Sequence, residues 1–340
     1  MNNDIKKIIL HRPAFLIGNG INYVDKENNL SWTKLLIDLF PKKYRSKILT
    51  KSSNVNLNLD GLTYPEIAEL AIRYTKEADS IIKRPDCIVK KNICEKVDDF
   101  ENKLVDLKKI ERHKTVITFA KKNSIPVLTT NYDFLLLKTL KIIFSKNNNK
   151  FLKKKVEEPF WFFDVSKRRP PFNCPFCAYF RETELQKNSD VKKEFAIWYI
   201  HGMKRYSSSL CITNKDYSKI IANLNRFIKD KSIMNKDKWE GFQTWINPFM
   251  NDDLLIMGLK LDSEEVDLRW LLVERYLYQQ YLMNNSRNYT MKKTVYVYSD
   301  DNELPNGKKL FFEAIGIECE KIDYDNIYKL DYLDIRDDFV

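Results

Sequence analysis

Glycine is scarce in this chain: 340 residues contain only 8. Histidine is scarcer, with 3, and 6 cysteines stand at irregular positions (Cys87, Cys94, Cys174, Cys177, Cys211 and Cys319). That spacing excludes a disulfide framework and suits a reducing compartment. No apolar run approaches the roughly 18 residues that a membrane-spanning helix requires. The first residues, MNNDIKKIILHRP, are polar and lack the apolar core of a secretory signal, so a cytoplasmic protein without membrane attachment is expected.

Charge is plentiful, and its balance is positive, at +11. A basic surface invites phosphate partners through counterion release. The basic runs, however, are short and scattered (Lys42-Lys43, Lys121-Lys122, Lys153 to Lys155, Lys192-Lys193), as on an ordinary solvated surface. Direct nucleic-acid binding is therefore not expected, and no clustered carboxylate motif points to a nuclease.

The order of apolar patterns predicts an α/β fold: a Rossmann-like, largely parallel sheet with helices on both faces, in a single domain over residues 1–340. Strands are expected in AFLIGNG, IPVLTTN, FAIWYIHG, SLCIT, DLLIMG, TVYVYSD and IECEKIDYD. Helices are expected in SWTKLLIDLF, capped by Ser31, and in TVITFAKKN, DFLLLKTLKIIF, DYSKIIANLNRFI and GKKLFFEAI. The stretch EEVDLRWLLVERYLYQQYL reads as a long amphipathic helix. Two departures from the minimal pattern stand out: a helical insertion at about 54–112, and a loop-rich module at about 147–194 rather than more sheet. Both are expected to serve as lids or subunit contacts.

In an open parallel sheet, ligands gather at the carboxyl ends of the strands. Four of the eight glycines, Gly18, Gly20, Gly202 and Gly258, fall at such ends. The first turn, Gly18-Asn19-Gly20-Ile21-Asn22, begins like a dinucleotide-binding fingerprint, but Tyr23 replaces its third glycine. The other ends carry Thr130-Asn131-Tyr132-Asp133, His201-Gly202 and Gly258 to Asp262. A sheet can converge the amide of Asn131, the carboxylate of Asp133 and the imidazole of His201, which together offer donor, acceptor and proton-transfer chemistry.

The ordered set GNGIN, LTTNYD, YIHG and IMGLKLD resembles the SIR2 (sirtuin-like) superfamily, and within it the bacterial NAD-hydrolysing effectors of anti-phage defence. The resemblance spans about residues 15–323. It implies that Gly18, Asn19, Gly20 and Asn22 line the NAD diphosphate and its ribose, with Thr130 beside them. It further implies that Asn131 holds the nicotinamide ribose or orders a water, and that Asp133 contacts the carboxamide. His201 would be general base on a ribose hydroxyl or water, and Gly258 and Asp262 would approach the adenosine end. The implied activity is NAD+ glycohydrolysis that depletes NAD in abortive infection, switched on by homo-oligomerisation or by a protein partner such as an ATPase or nucleic-acid sensor.

The chain departs from the sirtuin deacylases in two ways. Thr130 stands where they carry Gln, and the one Cys-x-x-Cys pair, Cys174 and Cys177, precedes the His-Gly strand and supplies only half of a four-thiolate zinc site. No metal is expected, and hydrolysis by water is favoured over deacylation or ADP-ribosyl transfer. A non-catalytic NAD or ADP-ribose binding module is the remaining alternative.

Overall fold

The structure, a computed structural model, describes residues 8–9, 11–23, 32–48, 61–106, 109–145, 160–161, 178–181, 195–229, 241, 244–299, 303–323 and 328. Its centre is built from short runs of consecutive apolar residues: β1 (Ala14–Ile17), β2 (Val127–Thr129), β5 (Ala196–Tyr199) and β6 (Leu254–Met257) are buried throughout. Strands buried on both faces are the mark of a parallel sheet covered by helices. β7 (Thr294–Ser299) and β8 (Ile317–Ile322) complete six parallel strands in the order β5-β2-β1-β6-β7-β8. Numbered among themselves along the chain, these strands run 3-2-1-4-5-6, a doubly wound, Rossmann-like α/β arrangement.

Residue parity divides the core in two. Phe15, Ile17, Val127, Ile197, Leu255, Met257 and Val295 face α5 (Glu111–Lys122) and α6 (Leu135–Ser145). Ala14, Leu16, Leu128, Trp198, Leu254, Ile256 and Tyr296 face α7 (Asn214–Lys229), α8 (Ile246–Asn251), α9 (Val266–Asn285) and α10 (Asn306–Ala314). Alternate residues of a strand point to opposite faces, so one apolar run serves both layers.

The expected insertion contains α3 (Tyr64–Ala78) and α4 (Pro85–Asp106). α3 starts in a capping box: the Glu66 amide donates to Thr63 Oγ1 at 3.4 Å and the Thr63 amide to Glu66 Oε2 at 2.7 Å. With α1 (Trp32–Asp38), these helices form a third apolar cluster around Leu36, Phe40, Ile67, Ala71, Ile93 and Val97. The cluster includes Tyr132, Leu210 and Ile212, which lie beyond the carboxyl ends of β2 and β5. The insertion thus packs against the sheet edge where the sequence places its chemistry. α2 (Lys42–Ile48) follows α1, and the Arg45 guanidinium returns to Phe40 O and Asp38 O at 2.9 and 2.7 Å.

Three expectations change. Within the module at 147–194, β3 (Phe160–Trp161) and β4 (Ala178–Arg181) extend the sheet antiparallel beyond β5, giving eight strands among the described residues. Phe160, Trp161, Tyr179 and Phe180 are residue types that favour strands, but runs of two and four residues between Lys, Asn and Pro clusters give almost no alternation to read. SLCIT is not a strand: Ser207–Ser209 form a 3-10 turn, and the Cys211 amide donates to His201 O at 2.9 Å. Finally, α9 buries Leu268, Leu271, Leu272 and Leu282, yet Val266, Leu277, Tyr281 and Met283 on its remaining surface are exposed, so its polar and apolar residues are not segregated. Ser31, Cys174 and Cys177, with most of the 147–194 module, lie outside the described residues.

Candidate functional site

Strand register brings the four turns to one edge. Ile17 pairs with Thr129 on one side and Met257 on the other, and Thr129 pairs with Tyr199. Each turn leaves its strand at the same level, so Gly18, Thr130, Ile200 and Gly258 are the first residues past the sheet. β1 and β6 are the neighbours at which the strand order reverses, the position where doubly wound folds open a ligand crevice.

The glycines are required by backbone packing between the turns. The Gly20 amide donates to Gly258 O at 2.8 Å, and a β-carbon on Gly18 would stand 2.5 Å from that oxygen. Gly258 has φ +67, and a β-carbon there would meet Tyr328 Oη at 2.4 Å. Half-buried Asn19 and Gly20 open the 3-10 turn Asn19–Asn22, whose Ile21 and Asn22 are buried.

Asn22 is fully buried and is the hub of the first cluster. Its amide nitrogen donates to Asp133 Oδ2 at 2.8 Å and to Asn19 Oδ1 at 2.9 Å. Its oxygen accepts from His113 Nε2 at 2.8 Å, since the nitrogen is committed to two acceptors. Asp133 Oδ1 accepts from the Leu135 amide at 2.9 Å. The carboxylate assigned to a ligand contact therefore ties the first turn to the start of α6. Burial, then the nearby charge of Glu101, push its pKa up to about 6.

His113, on α5, has no counterpart in the sequence reading. Burial, with Arg112 beside it, pushes its pKa down to about 3, so it stays neutral, and its Nδ1 finds no hydrogen-bond partner among the described residues. Unfolded, it would take up a proton below pH 6.5. Its contribution to stability is complete above pH 6.5 and is lost as pH falls toward 3. Asp133, raised, acts in the opposite sense between 3.8 and about 6, over a narrower span. The expected result for His113→Gln, which keeps a donor for Asn22, is a smaller fall in the urea midpoint between pH 7 and pH 4.5 than in wild type. Equal falls would contradict this assignment.

Asn131, 5% exposed, donates from Nδ2 to Gly18 O at 3.3 Å, and its backbone amide donates to Thr129 Oγ1 at 3.1 Å. Thr130 contributes its amide to Ile17 O at 3.2 Å. The second cluster begins one strand further out. His201 Nε2 lies 2.8 Å from Asp267 Oδ2, and the His201 ring meets Tyr217 edge-on at 5.7 Å. Burial works against the charged imidazole, yet the Asp267 carboxylate and Glu265 outweigh it and raise the His201 pKa. Burial also pushes Glu265 up to about 7. Asp262 stands at the rim, exposed and paired with Lys308 Nζ at 3.0 Å.

Glu101, on α4, is fully buried behind these turns. Its Oε2 accepts from the Phe134 amide at 2.7 Å and pairs with Lys204 Nζ at 2.6 Å, while Oε1 pairs with Lys138 at 2.5 Å. Lys204 also pairs with Asp98. The insertion is fastened to the Asp133 and His201 turns through charge. Among the described residues no group of three or more His, Cys, Asp or Glu could hold a metal ion, and no helix is long and apolar enough to cross a membrane. No protein-family model matches the chain, and no curated protein matches it.

Proposed function

We propose that the protein is an NAD+ glycohydrolase that cleaves the nicotinamide–ribose bond to give nicotinamide and ADP-ribose. The observation that carries this reading is the meeting of glycine turns, Asn131 and His201 on one carboxyl edge, beside the point where strand order reverses. Backbone N–H groups of the Gly18–Asn22 turn suit a diphosphate. The pyridinium nitrogen is already a good leaving group and departs with the bonding electron pair. Water supplies the oxygen that bonds to ribose C1′, and its proton passes to His201. The amide of Asn131 orients the ribose or the water. The resemblance to SIR2-like defence effectors adds the biological setting: depletion of NAD during infection, triggered by homo-oligomerisation or a protein partner.

The non-catalytic reading has one observation in its favour. Gly18, Gly20 and Gly258 turn their α-carbons toward each other, Leu259 and Tyr328, so internal packing alone requires glycine there. It predicts NAD or ADP-ribose binding without nicotinamide release. Incubating the purified protein with NAD, alone and with candidate partners, separates the two. Nicotinamide release is expected from wild type, falling on the order of 10²- to 10⁴-fold in His201→Ala and Asn131→Ala. Release that is unchanged in both variants rules out the mechanism.

A further inference from the structure

We propose that Asp267, on the first turn of α9, is the positioning residue of His201: it holds the proton on Nε2 and leaves Nδ1 as the atom through which protons enter and leave. This rests on the reading of His201 as the base, and it names a residue that no strand-end pattern indicates. A carboxylate oxygen only accepts, and Asp267 Oδ2 lies 2.8 Å from His201 Nε2, so that nitrogen must carry hydrogen. A neutral imidazole then has its lone pair on Nδ1.

Both partners are enclosed: Asp267 is 1% exposed and His201 5%. The His201 backbone is fixed by the Cys211 amide, and its ring by Tyr217 of α7. Asp267 Oδ1 has no hydrogen-bond partner among the described residues, so no competing bond explains the side chain's orientation. The other titratable groups around the pair are Glu265, on the turn before α9, Cys211, Tyr217 and, from the β2 turn, Tyr132. Lys90 of α4, which reaches Cys211 electrostatically, is engaged by Asp216 at 2.8 Å and by Leu210 O at 2.6 Å. Lys90 is thus committed elsewhere, and Asp267 and Glu265 are the groups that favour a proton on His201.

With three histidines in the chain, long-range ¹H–¹⁵N spectra of labelled protein, assigned with His201→Gln and His113→Gln, read this state directly. Wild type is expected to show His201 protonated on Nε2, with Nδ1 bare once neutral. In Asp267→Asn, whose amide can present either a donor or an acceptor, the proton affinity of His201 should fall tenfold or more and both tautomers should appear. Asp267→Glu, which keeps an acceptor, should retain the Nε2 proton. In the NAD assay, Asp267→Asn should lose on the order of 10²- to 10⁴-fold in kcat with a smaller change in KM. The acid limb of its pH profile should move to lower pH.

An Nδ1-protonated His201 in wild type overturns the proposal, and this outcome does not depend on whether Asp267→Asn folds. So does a folded Asp267→Asn with unchanged tautomer and titration. The NMR result is independent of NAD: the expected spectra without any nicotinamide release would reject the glycohydrolase reading and leave the positioning role standing. NAD cleavage with the same kcat and pH profile in Asp267→Asn would do the reverse.

Discussion

Glu101→Ala is expected to destabilise the protein by about 3–5 kcal/mol, read as a shift of the urea unfolding midpoint, because it breaks a buried ion cluster from one side. The side chain is completely buried and meets two ammonium groups and one backbone amide. Removing it leaves the Phe134 N–H without its acceptor and Lys204, 9% exposed, with Asp98 alone. The loss is set by the desolvated groups left behind, more than by the net worth of the pair. Glu101→Gln, which keeps an acceptor for Phe134 and the volume, should cost less. It should also lower the pKa of Asp133, since the Glu101 charge is the second cause of its rise. A Glu101→Ala protein as stable as wild type would show that these contacts are not formed in solution.

Gly202→Ala is expected to cost about 3 kcal/mol or more, although it adds a single methyl group. Gly202 has φ +90, outside the range that L side chains adopt readily, and a β-carbon there would lie 2.2 Å from Ser209 O. That oxygen belongs to the backbone of the 3-10 turn Ser207–Ser209 and cannot rotate away. Since Gly202 follows His201, relaxation would move the imidazole off Asp267. Thermal unfolding and the His201 NMR signal report the two effects separately. Gly307 serves as the control: nothing stands within 4 Å of a β-carbon there, and Gly307→Ala should leave both nearly unchanged.

The framework was legible because its signals are local. Short, largely apolar runs leading into glycine, asparagine or histidine marked β1, β2, β5 and β6, and the helical spacing of the insertion marked α3 and α4. The electrostatic partners were hidden because each lies far from the residue it serves. Asp267 is 66 residues from His201, Glu101 is 33 from Phe134, and His113 is 91 from Asn22. Within their own segments they look ordinary: Asp267 is one acid in the EEVD start of a helix, and His113 precedes a run of unremarkable helical periodicity. Asp133 and Asn22 do lie in the turns that follow β2 and β1, but their mutual hydrogen bond gives both a scaffolding duty that spacing could not reveal. The strands β3 and β4 are too short to generate a pattern.

The register of β1 carries a consequence for how the chain is made. Phe15 pairs with Val127 on one side and with Leu255 on the other, and the insertion falls between the first two of these partners. The first strand of the sheet to be synthesised thus gains its second partner only after Leu255 has been made. Contacts of such sequence separation fold slowly, because a long loop must be closed before any pairing rewards it. At ribosomal rates, β6 follows β1 by on the order of ten seconds or more. Until then β2 can cover only one side of AFLI, and the side that β6 will take is an apolar edge with unpaired backbone.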